Sequence, residues 1–407
     1  MIKTQKGTKD ILFPEILNWY KMEKAAMEIF GNANFEEIRT PIFEATELFS
    51  RGVGETTDIV NKEMYTFEKS DRSITLRPEN TAGVVRSFIE NGMHKRSMPV
   101  KLWYHGPMFR YERPQAGRQR QFHQVGVELF GIKEPMADVE VISLAVQFLN
   151  KLGLNDLEVE INSLGCNKCR KEFKNALKTA IAPILDKLCP DCQSRFEKNP
   201  LRILDCKVED CINELNSSEI QKVINSDFIC DECSEHFEQV KKMLGALGIK
   251  YSVNKQLVRG LDYYNRTVFE IKSNNLGSQN AVCGGGRYDG LVEMLGGAST
   301  PAIGWAMGME RLNSLLPQSE TKKTDYYIIS DNPVETVKLA QKLRDIGKSV
   351  EFDYQGKKFG KQFEKAGKIA NFALILGEDE IKSNEISVKN MQTGEQKKYK
   401  REEFLRG

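Results

Sequence analysis

Apolar positions recur along the chain with two periods, and the switches between them mark out elements. PEILNWYKMEKAAMEIFG (14–31) carries Ile16, Leu17, Tyr20, Ala25, Met27 and Ile29, most of one helical stripe, with Pro14 suited to a first turn. This predicts an amphipathic helix. FEEIRTPIFE (35–44) alternates until Pro41, which predicts a strand broken at the proline. KLWYHGPMFRYE (101–112) predicts strand, turn and strand, with Gly106 and Pro107 as the turn. QFHQVGVELFG (121–131) alternates again and should be its antiparallel partner. RPQAGRQRQ between them is polar, basic and long enough for a mobile loop.

Residues 137–151 read as a helix and LEVEINSL (157–164) as a strand. From 166 to 250 the chain is rich in Lys, Glu and Cys with helical periods, which predicts a helical insertion. Strand texture returns in QLVRGLDYYNRTVFEI (256–271) and AVCGGGRYDGLV (281–292). PAIGWAMGMERLNSLL (301–316) starts as a strand and ends as a helix. A boundary is expected near PQSETKKT (317–324). Beyond it DYYIIS, a helix over 333–347, SVEFDY, a helix near 357–370, FALILG and ISVKNM alternate. That order predicts a small α/β domain, 325–407, with a largely parallel sheet.

Composition narrows the class. A chain of 407 residues allows two or three domains. At 40% hydrophobic and 29% charged residues, wholesale disorder is excluded. The net charge of +2 advertises no polyanion partner globally. The local exception is KKFGKQFEKAGK, where Lys357, Lys358, Lys361, Lys365 and Lys368 face one Glu364. That pattern is either a solvated helix face or a phosphate contact. No apolar run approaches membrane-helix length. The opening MIKTQKGTKD is too polar for a signal peptide, and nine cysteines are an odd count. Together these point to reduced thiols in a cytoplasmic setting.

Gly347-Lys348-Ser349 lacks the earlier glycine of a phosphate-binding loop, because Lys342 stands there. Gly284-Gly285-Gly286 lacks dinucleotide spacing. The arginines are more informative. Arg110 and Glu112 fall on alternate positions of an expected strand, with Arg118 and Arg120 in the following loop. Arg259 falls in a second expected strand, before Asp262, Tyr263 and Tyr264, and Arg311 opens a helix. Arginines on separate elements suit a triphosphate, because the guanidinium fork matches phosphate oxygens two at a time; ordinary ion pairing is the plainer use. His94, His105, His123 and His236 carry no catalytic pattern, and His123, alternating with Phe122 and Gln124, reads as structural.

Eight cysteines lie between 166 and 233. Cys166-x₂-Cys169-x₁₉-Cys189-x₂-Cys192 has four-thiolate zinc spacing, and Cys206-x₄-Cys211-x₁₈-Cys230-x₂-Cys233 could be a second set. Interleaved pairings are equally open. Scattered buried thiols are the bland alternative. The insertion reads as poor in large apolar residues, so a structural metal would supply order there.

Phe109-Arg110-Tyr111-Glu112 and Gly304-Trp305-Ala306-Met307-Gly308-Met309-Glu310-Arg311 resemble the second and third motifs of class II aminoacyl-tRNA synthetases. The strand ending at Pro41 resembles the first, a dimer-interface motif in that class. Leu257-Val258-Arg259-Gly260-Leu261-Asp262-Tyr263-Tyr264 and Gly284-Gly285-Gly286-Arg287-Tyr288-Asp289 are similar to motifs of the histidyl-tRNA synthetase family. The resemblance runs from GTKDI (7–11) to VKNMQTGEQ (388–396).

It implies an α+β catalytic domain on an antiparallel sheet (1–320), interrupted by the insertion, and an anticodon-binding domain (325–407). It implies ligation of L-histidine to tRNA(His) through an adenylate, with ATP as substrate, Mg²⁺ beside it, and a homodimer. By the same resemblance Glu79, Thr81 and Gln124 hold the amino-acid end of histidine. Asn80 stands where glycine is common. Glu128 and Tyr264, beside Tyr263, read the imidazole. Arg110 and Arg259 face the α-phosphate and Arg311 the far phosphates. Glu112 and Phe122 read and stack on adenine, and Arg113 and Gln115 face the tRNA acceptor end. The rival is a non-catalytic relative, a regulatory subunit of ATP phosphoribosyltransferase, which usually lacks the C-terminal domain and has eroded active-site motifs.

Overall fold

The structure is a computed structural model that describes residues 1–54, 57–115, 117–226, 228–273 and 280–406. Its two units are Met1–Ser319 and Glu320–Gly407. In the first, the strands are β1 (Glu36–Glu37), β2 (Phe43–Ala45), β3 (Tyr65–Lys69), β4 (Arg72–Leu76), β5 (Val100–Phe109) and β6 (Gln121–Phe130). They continue with β7 (Glu158–Ser163), β8 (Tyr251–Val253), β9 (Asn265–Lys272), β10 (Ala281–Arg287) and β11 (Ala302–Gly308). The helices are α1 (Ile16–Asn32), α2 (Thr46–Val53), α3 (Thr81–Glu90), α4 (Pro135–Lys151), α5 (Asn167–Ile181) and α6 (Pro190–Lys198). Then follow α7 (Glu209–Leu215), α8 (Ser218–Asn225), α9 (Asp231–Ala246), α10 (Leu291–Met294) and α11 (Met309–Leu315).

Eight strands form one sheet in the order β1-β5-β6-β11-β10-β9-β7-β8. Its central pairings are antiparallel, and only the outer pairs β1–β5 and β7–β8 are parallel. The alternation of 121–131 does pair with β5, register Val100 to Phe130 through Phe109 to Gln121. Trp19 and Phe30 of α1, Phe148 of α4 and Phe237 and Val240 of α9 pack with Trp305 of the sheet in one apolar cluster.

Several expectations change. Gly106 and Pro107 make no turn, and β5 runs straight through them. β1 pairs only with Leu102 and Trp103, so Pro107 faces no ladder on that side and its missing N–H costs nothing there. Gly106 makes room for a buried arginine: a Cβ there would lie 2.6 Å from Nη2 of Arg77. Arg110 and Glu112 lie just beyond the end of β5, where the Tyr111 N–H turns to the carbonyl of Glu63. Residues 256–264 are not strand either. Arg259, Tyr263 and Tyr264 sit in the connection before β9, where Leu257, Val258 and both tyrosines are buried by packing rather than by a ladder.

The insertion is helical, but α9 packs on α4 and belongs to the main core. The rest is richer in core than its composition suggests: Leu177, Ile181, Leu188, Phe196, Leu201 and Ile203 are buried. In the loop between β5 and β6, Gln115 and Arg118 exchange backbone hydrogen bonds, while Ala116 lies outside the described residues.

The second unit has strands β12 (Thr324–Ser330), β13 (Val350–Phe352), β14 (Ala370–Leu376), β15 (Glu385–Asn390) and β16 (Gln396–Lys400), with helices α12 (Pro333–Asp345) and α13 (Phe359–Ile369). The sheet order is β13-β12-β14-β15-β16. It is half parallel rather than largely so, since β14–β15 and β15–β16 are antiparallel. The fully exposed β16, QKKYK, has no apolar alternation to reveal it.

Candidate active site

Alternation along β6 places Gln124, Gly126 and Glu128 on one face. Glu128 is 0% exposed. The Thr81 hydroxyl donates to its Oε1 at 2.7 Å, and the Tyr288 hydroxyl donates to Oε2. Gly304 stands opposite Glu128 in register, and a Cβ there would lie 1.8 Å from Oε2. Only glycine leaves this carboxyl its seat. Burial pushes the Glu128 carboxyl up to about 8; bonds from Tyr288 and Thr81 oppose the rise, and nearby Glu79 adds to it.

A pH prediction follows from that burial. The folded carboxyl titrates about 8, against an ordinary value of 4.5 when unfolded, so between these the folded chain holds the extra proton. Stability therefore falls as pH rises across that window, with a slope of at most about 1.4 kcal/mol per pH unit for one proton. Urea unfolding of the ligand-free protein at pH 5.5 and pH 8 should show wild type losing more stability than Glu128→Gln. Equal losses would contradict the buried neutral carboxyl.

The turn into α3 sets the next group. The Glu79 carboxylate accepts the N–H groups of Thr81 (2.8 Å) and Ala82 (2.9 Å), satisfying the start of the helix from the residue before its N-cap. Asn80, 1% exposed, turns away from the cleft: its Oδ1 accepts from the Thr40 hydroxyl at 2.5 Å and from Arg77 at 3.4 Å. Arg77 also donates to the carbonyls of Pro107 (2.8 Å) and Thr40 (2.9 Å), tying three segments together.

Five arginines line a cleft of about 600 Å³, and three of them, Arg110, Arg259 and Arg311, reach it from separate segments of the catalytic fold. Arg110 donates to the Pro78 carbonyl at 2.8 Å, and its guanidinium lies 5.2 Å from the centre of the Phe122 ring. Arg311 donates to the Ala281 carbonyl at 2.6 Å. Arg259 ion-pairs with Glu270, which stands opposite Gly284 in register. A Cβ on Gly284 would lie 1.8 Å from Nη2 of Arg259, so the glycine provides the arginine's bed. Glu79, Thr81, Glu112, Gln124, Tyr263 and Tyr264 also line the cleft. Glu112 accepts from Arg118 at 3.3 Å. Burial pushes the Tyr264 hydroxyl above the usual phenol range, Arg259 opposing, so it stays a neutral donor. Among the described residues, buried Oε1 of Gln124 and Nε of Arg259 have no hydrogen-bond partner. Unsatisfied polar atoms on a cleft wall suit a polar ligand.

Arg113 and Gln115 are exposed and do not line this cleft, and the fully buried Glu128 does not line it either, lying behind Thr81. His123 is held by Glu310, which accepts its N–H at 2.9 Å and lies 3.0 Å from Nδ1. Sequence reading gave no role to Tyr288, Glu270 or Arg77; Tyr288 and Arg77 meet partners 160 and 30 residues away, and Glu270 meets Arg259 across a loop. The signal available was glycine: 304, 284 and 106 each mark where one of the side chains Glu128, Arg259 and Arg77 needs room. It also missed Arg202, Leu204, Asp205 and Lys207 of the insertion, which wall the cleft. Arg287 is fully buried on Asp138, with the Nε bond at 2.8 Å, and is structural.

An antiparallel sheet that brings arginines from the end of β5, from the loop before β9 and from α11 to one cleft is the catalytic fold of class II aminoacyl-tRNA synthetases. Residues 7–312 match the family model for histidyl-tRNA synthetase, and residues 326–407 match that for an anticodon binding domain. The chain belongs to the histidyl-tRNA synthetase family. It is 50% identical to the histidine–tRNA ligase of Halothermothrix orenii, over 97% of this chain and 96% of that protein. With the histidine–tRNA ligase of Acetivibrio thermocellus the identity is also 50%, over 98% and 97%. The apo histidyl-tRNA synthetase of S. aureus superimposes with a TM-score of 0.82 at 38% identity, covering 100% of this chain and 99% of that one. Among the described residues, no helix is long and apolar enough to cross a membrane.

Proposed function

We propose that this protein joins L-histidine to tRNA(His) in two steps, at the cleft described above, with ATP as the energy source. The observation that carries the reading is the convergence of Arg110, Arg259 and Arg311 on a cleft that also presents Glu79, Thr81 and Gln124. In the first step the histidine carboxylate attacks the α-phosphorus and pyrophosphate leaves. Negative charge gathers on phosphate oxygens, so fixed cations do the work and no protein nucleophile is required. Each such group can contribute about 3–4 kcal/mol, by analogy with oxyanion donors. Arg110 and Arg259 take the α-phosphate, Arg311 the far phosphates, and Phe122 with Glu112 the adenine. Glu79, Thr81 and Gln124 hold the amino-acid end, and Glu128 with Tyr264 the imidazole, Tyr263 shaping the pocket. Asn80, bonded to Thr40 and Arg77, positions this turn rather than touching substrate. In the second step a terminal ribose hydroxyl of tRNA attacks the adenylate, with Arg113 and Gln115 at the acceptor end.

Magnesium, when bound, would neutralise charge on the triphosphate, and the triphosphate itself would supply most of its ligands. Two of the cleft carboxylates are already engaged, Glu270 by Arg259 and Lys272 and Glu112 by Arg118. Exposed Ile42, Phe43 and Phe67 near the first motif support a homodimer interface there, and a cytoplasmic location accords with reduced thiols. The test is histidine-dependent exchange of pyrophosphate into ATP, followed by charging of tRNA(His). No exchange would favour a regulatory relative.

Residues 320–407 would bind the anticodon. Deleting them should weaken charging far more than exchange, because activation needs only ATP and histidine. The lysines of α13 favour the plainer alternative in part: Lys361 and Lys368 pair with Glu364 at 3.2 and 2.9 Å. If the five lysines still touch phosphates, replacing them should flatten the salt dependence of tRNA binding by somewhat under one log–log unit per contact. An unaltered slope would leave them as a solvated face.

A further inference from the structure

Eight of the nine cysteines gather into two groups of four. Cys166, Cys169, Cys230 and Cys233 form one, and Cys189, Cys192, Cys206 and Cys211 the other; within each, the sulfur atoms all lie within 4.8 Å of one another. Four sulfurs around one zinc at ~2.3 Å stand about 3.8 Å apart. Two separations bracket that value: 3.5 Å for Cys166–Cys169 and 4.0 Å for Cys189–Cys206. None of the nine is in a disulfide. We propose that the chain holds two structural zinc ions, each on four thiolates, one nested inside the other. The outer ion closes the neck of the insertion, and the inner one orders the segment that walls the catalytic cleft.

The two groups share one device, used twice in the outer group and once in the inner. Cys166, Cys189 and Cys230 immediately precede α5, α6 and α9, and Cys169, Cys192 and Cys233 sit buried in the first turns of those helices. Helix starts carry partial positive charge and favour thiolate over thiol. A backbone amide adds to this in each group: the Cys230 N–H donates to the Cys169 sulfur at 3.2 Å, and the Cys189 N–H to the Cys211 sulfur at 3.1 Å. Such outer bonds orient ligands and stabilise their charge. Four protein sulfurs leave a zinc no open position, so the role is structural. Binding each Zn²⁺ releases four thiol protons to solvent and leaves a [Zn(S-Cys)₄]²⁻ centre.

The fold also decides the pairing that spacing left open. Cys166 and Cys169 meet Cys230 and Cys233 across the whole insertion, not their neighbours in sequence. The inner group reaches the active site directly. Cys206 lies between Asp205 and Lys207, and both of these line the cleft with Arg202 and Leu204. Arg195 and Arg202 clamp the same region to Asp58 at 2.8 and 3.0 Å.

Elemental analysis of the intact protein, purified under reducing conditions without added metal, should find two equivalents of zinc per chain. The double variant Cys166→Ser/Cys189→Ser should lose both equivalents, and Cys189→Ser/Cys206→Ser only one. Sequential pairing gives the reverse and would overturn the nested assignment. Because a variant can fail to fold, wild-type protein exchanged into Co²⁺ gives an independent measure. Thiolate-to-cobalt charge-transfer and tetrahedral d–d bands should saturate at two equivalents. Zinc-free protein with eight reactive thiols or with disulfides, iron in place of zinc, or a single equivalent would each defeat the proposal. None of these readings depends on histidine activation, so this proposal and the catalytic one fail separately. Limited proteolysis of Cys206→Ser should open 189–211 while the 100–130 hairpin stays protected; an equally resistant insertion would remove the inner ion's role at the cleft.

Discussion

Arg259→His is expected to leave the protein folded and to cut adenylate formation by on the order of 10²-fold or more. The geometry explains both halves. Arg259 reaches the cleft from the connection before β9, crosses the strand at Gly284 and pairs with Glu270. A shorter imidazole cannot span that path, so charge is lost from the place where the proposed reaction develops phosphate charge. Glu270 keeps one cation nearby, because Lys272 stands 3.8 Å away, although that lysine is shared with Glu160 at 2.7 Å. Gly284→Ala should mimic the loss with Arg259 still present, since the added Cβ occupies the bed of the guanidinium. Histidine affinity should change less than the rate in both variants. Pyrophosphate exchange at saturating ATP and histidine, with circular dichroism to confirm folding, is the measurement. Wild-type-like exchange in Arg259→His would remove this residue from the mechanism.

Glu128→Gln is expected to lower kcat/KM for histidine by about 10²-fold and to disturb ATP binding little. A site that hydrogen-bonds both nitrogens of an imidazole can reject analogues by ~10⁴-fold or more without editing, because an isostere leaves buried polar groups unpaired. Glutamine keeps the shape and one acceptor, and the hydroxyls of Thr81 and Tyr288 can each donate or accept, so the fold should tolerate it. What disappears is the ability to become a carboxylate. Exchange assays with histidine and with near-isosteric amino acids would measure the loss. Discrimination unchanged from wild type would show that the imidazole is read elsewhere.

Much of this was legible in the sequence because it depends on local period. α1, the β5–β6 pair, the strand-then-helix of 301–316 and the change of texture near 320 each follow from side chains a few positions apart. The arginines could be singled out as an anion-binding set from residue type alone, and the family resemblance put candidate roles on them. Tertiary structure decided what depends on meetings between distant segments. Gly106 and Pro107 read as a turn until Arg77, thirty residues away along the chain, is seen to need the space. Residues 256–264 have strand composition but are buried by packing, so their apolar pattern carries no ladder. Asn80 sits in a motif to which the family resemblance gives substrate contacts, yet Thr40 and Arg77 draw its side chain away. The cysteine spacings are compatible with several pairings, since spacing constrains only neighbours in the chain. Which four meet is set by how the insertion leaves the core after β7 and returns to it through α9, a closure that no local pattern encodes.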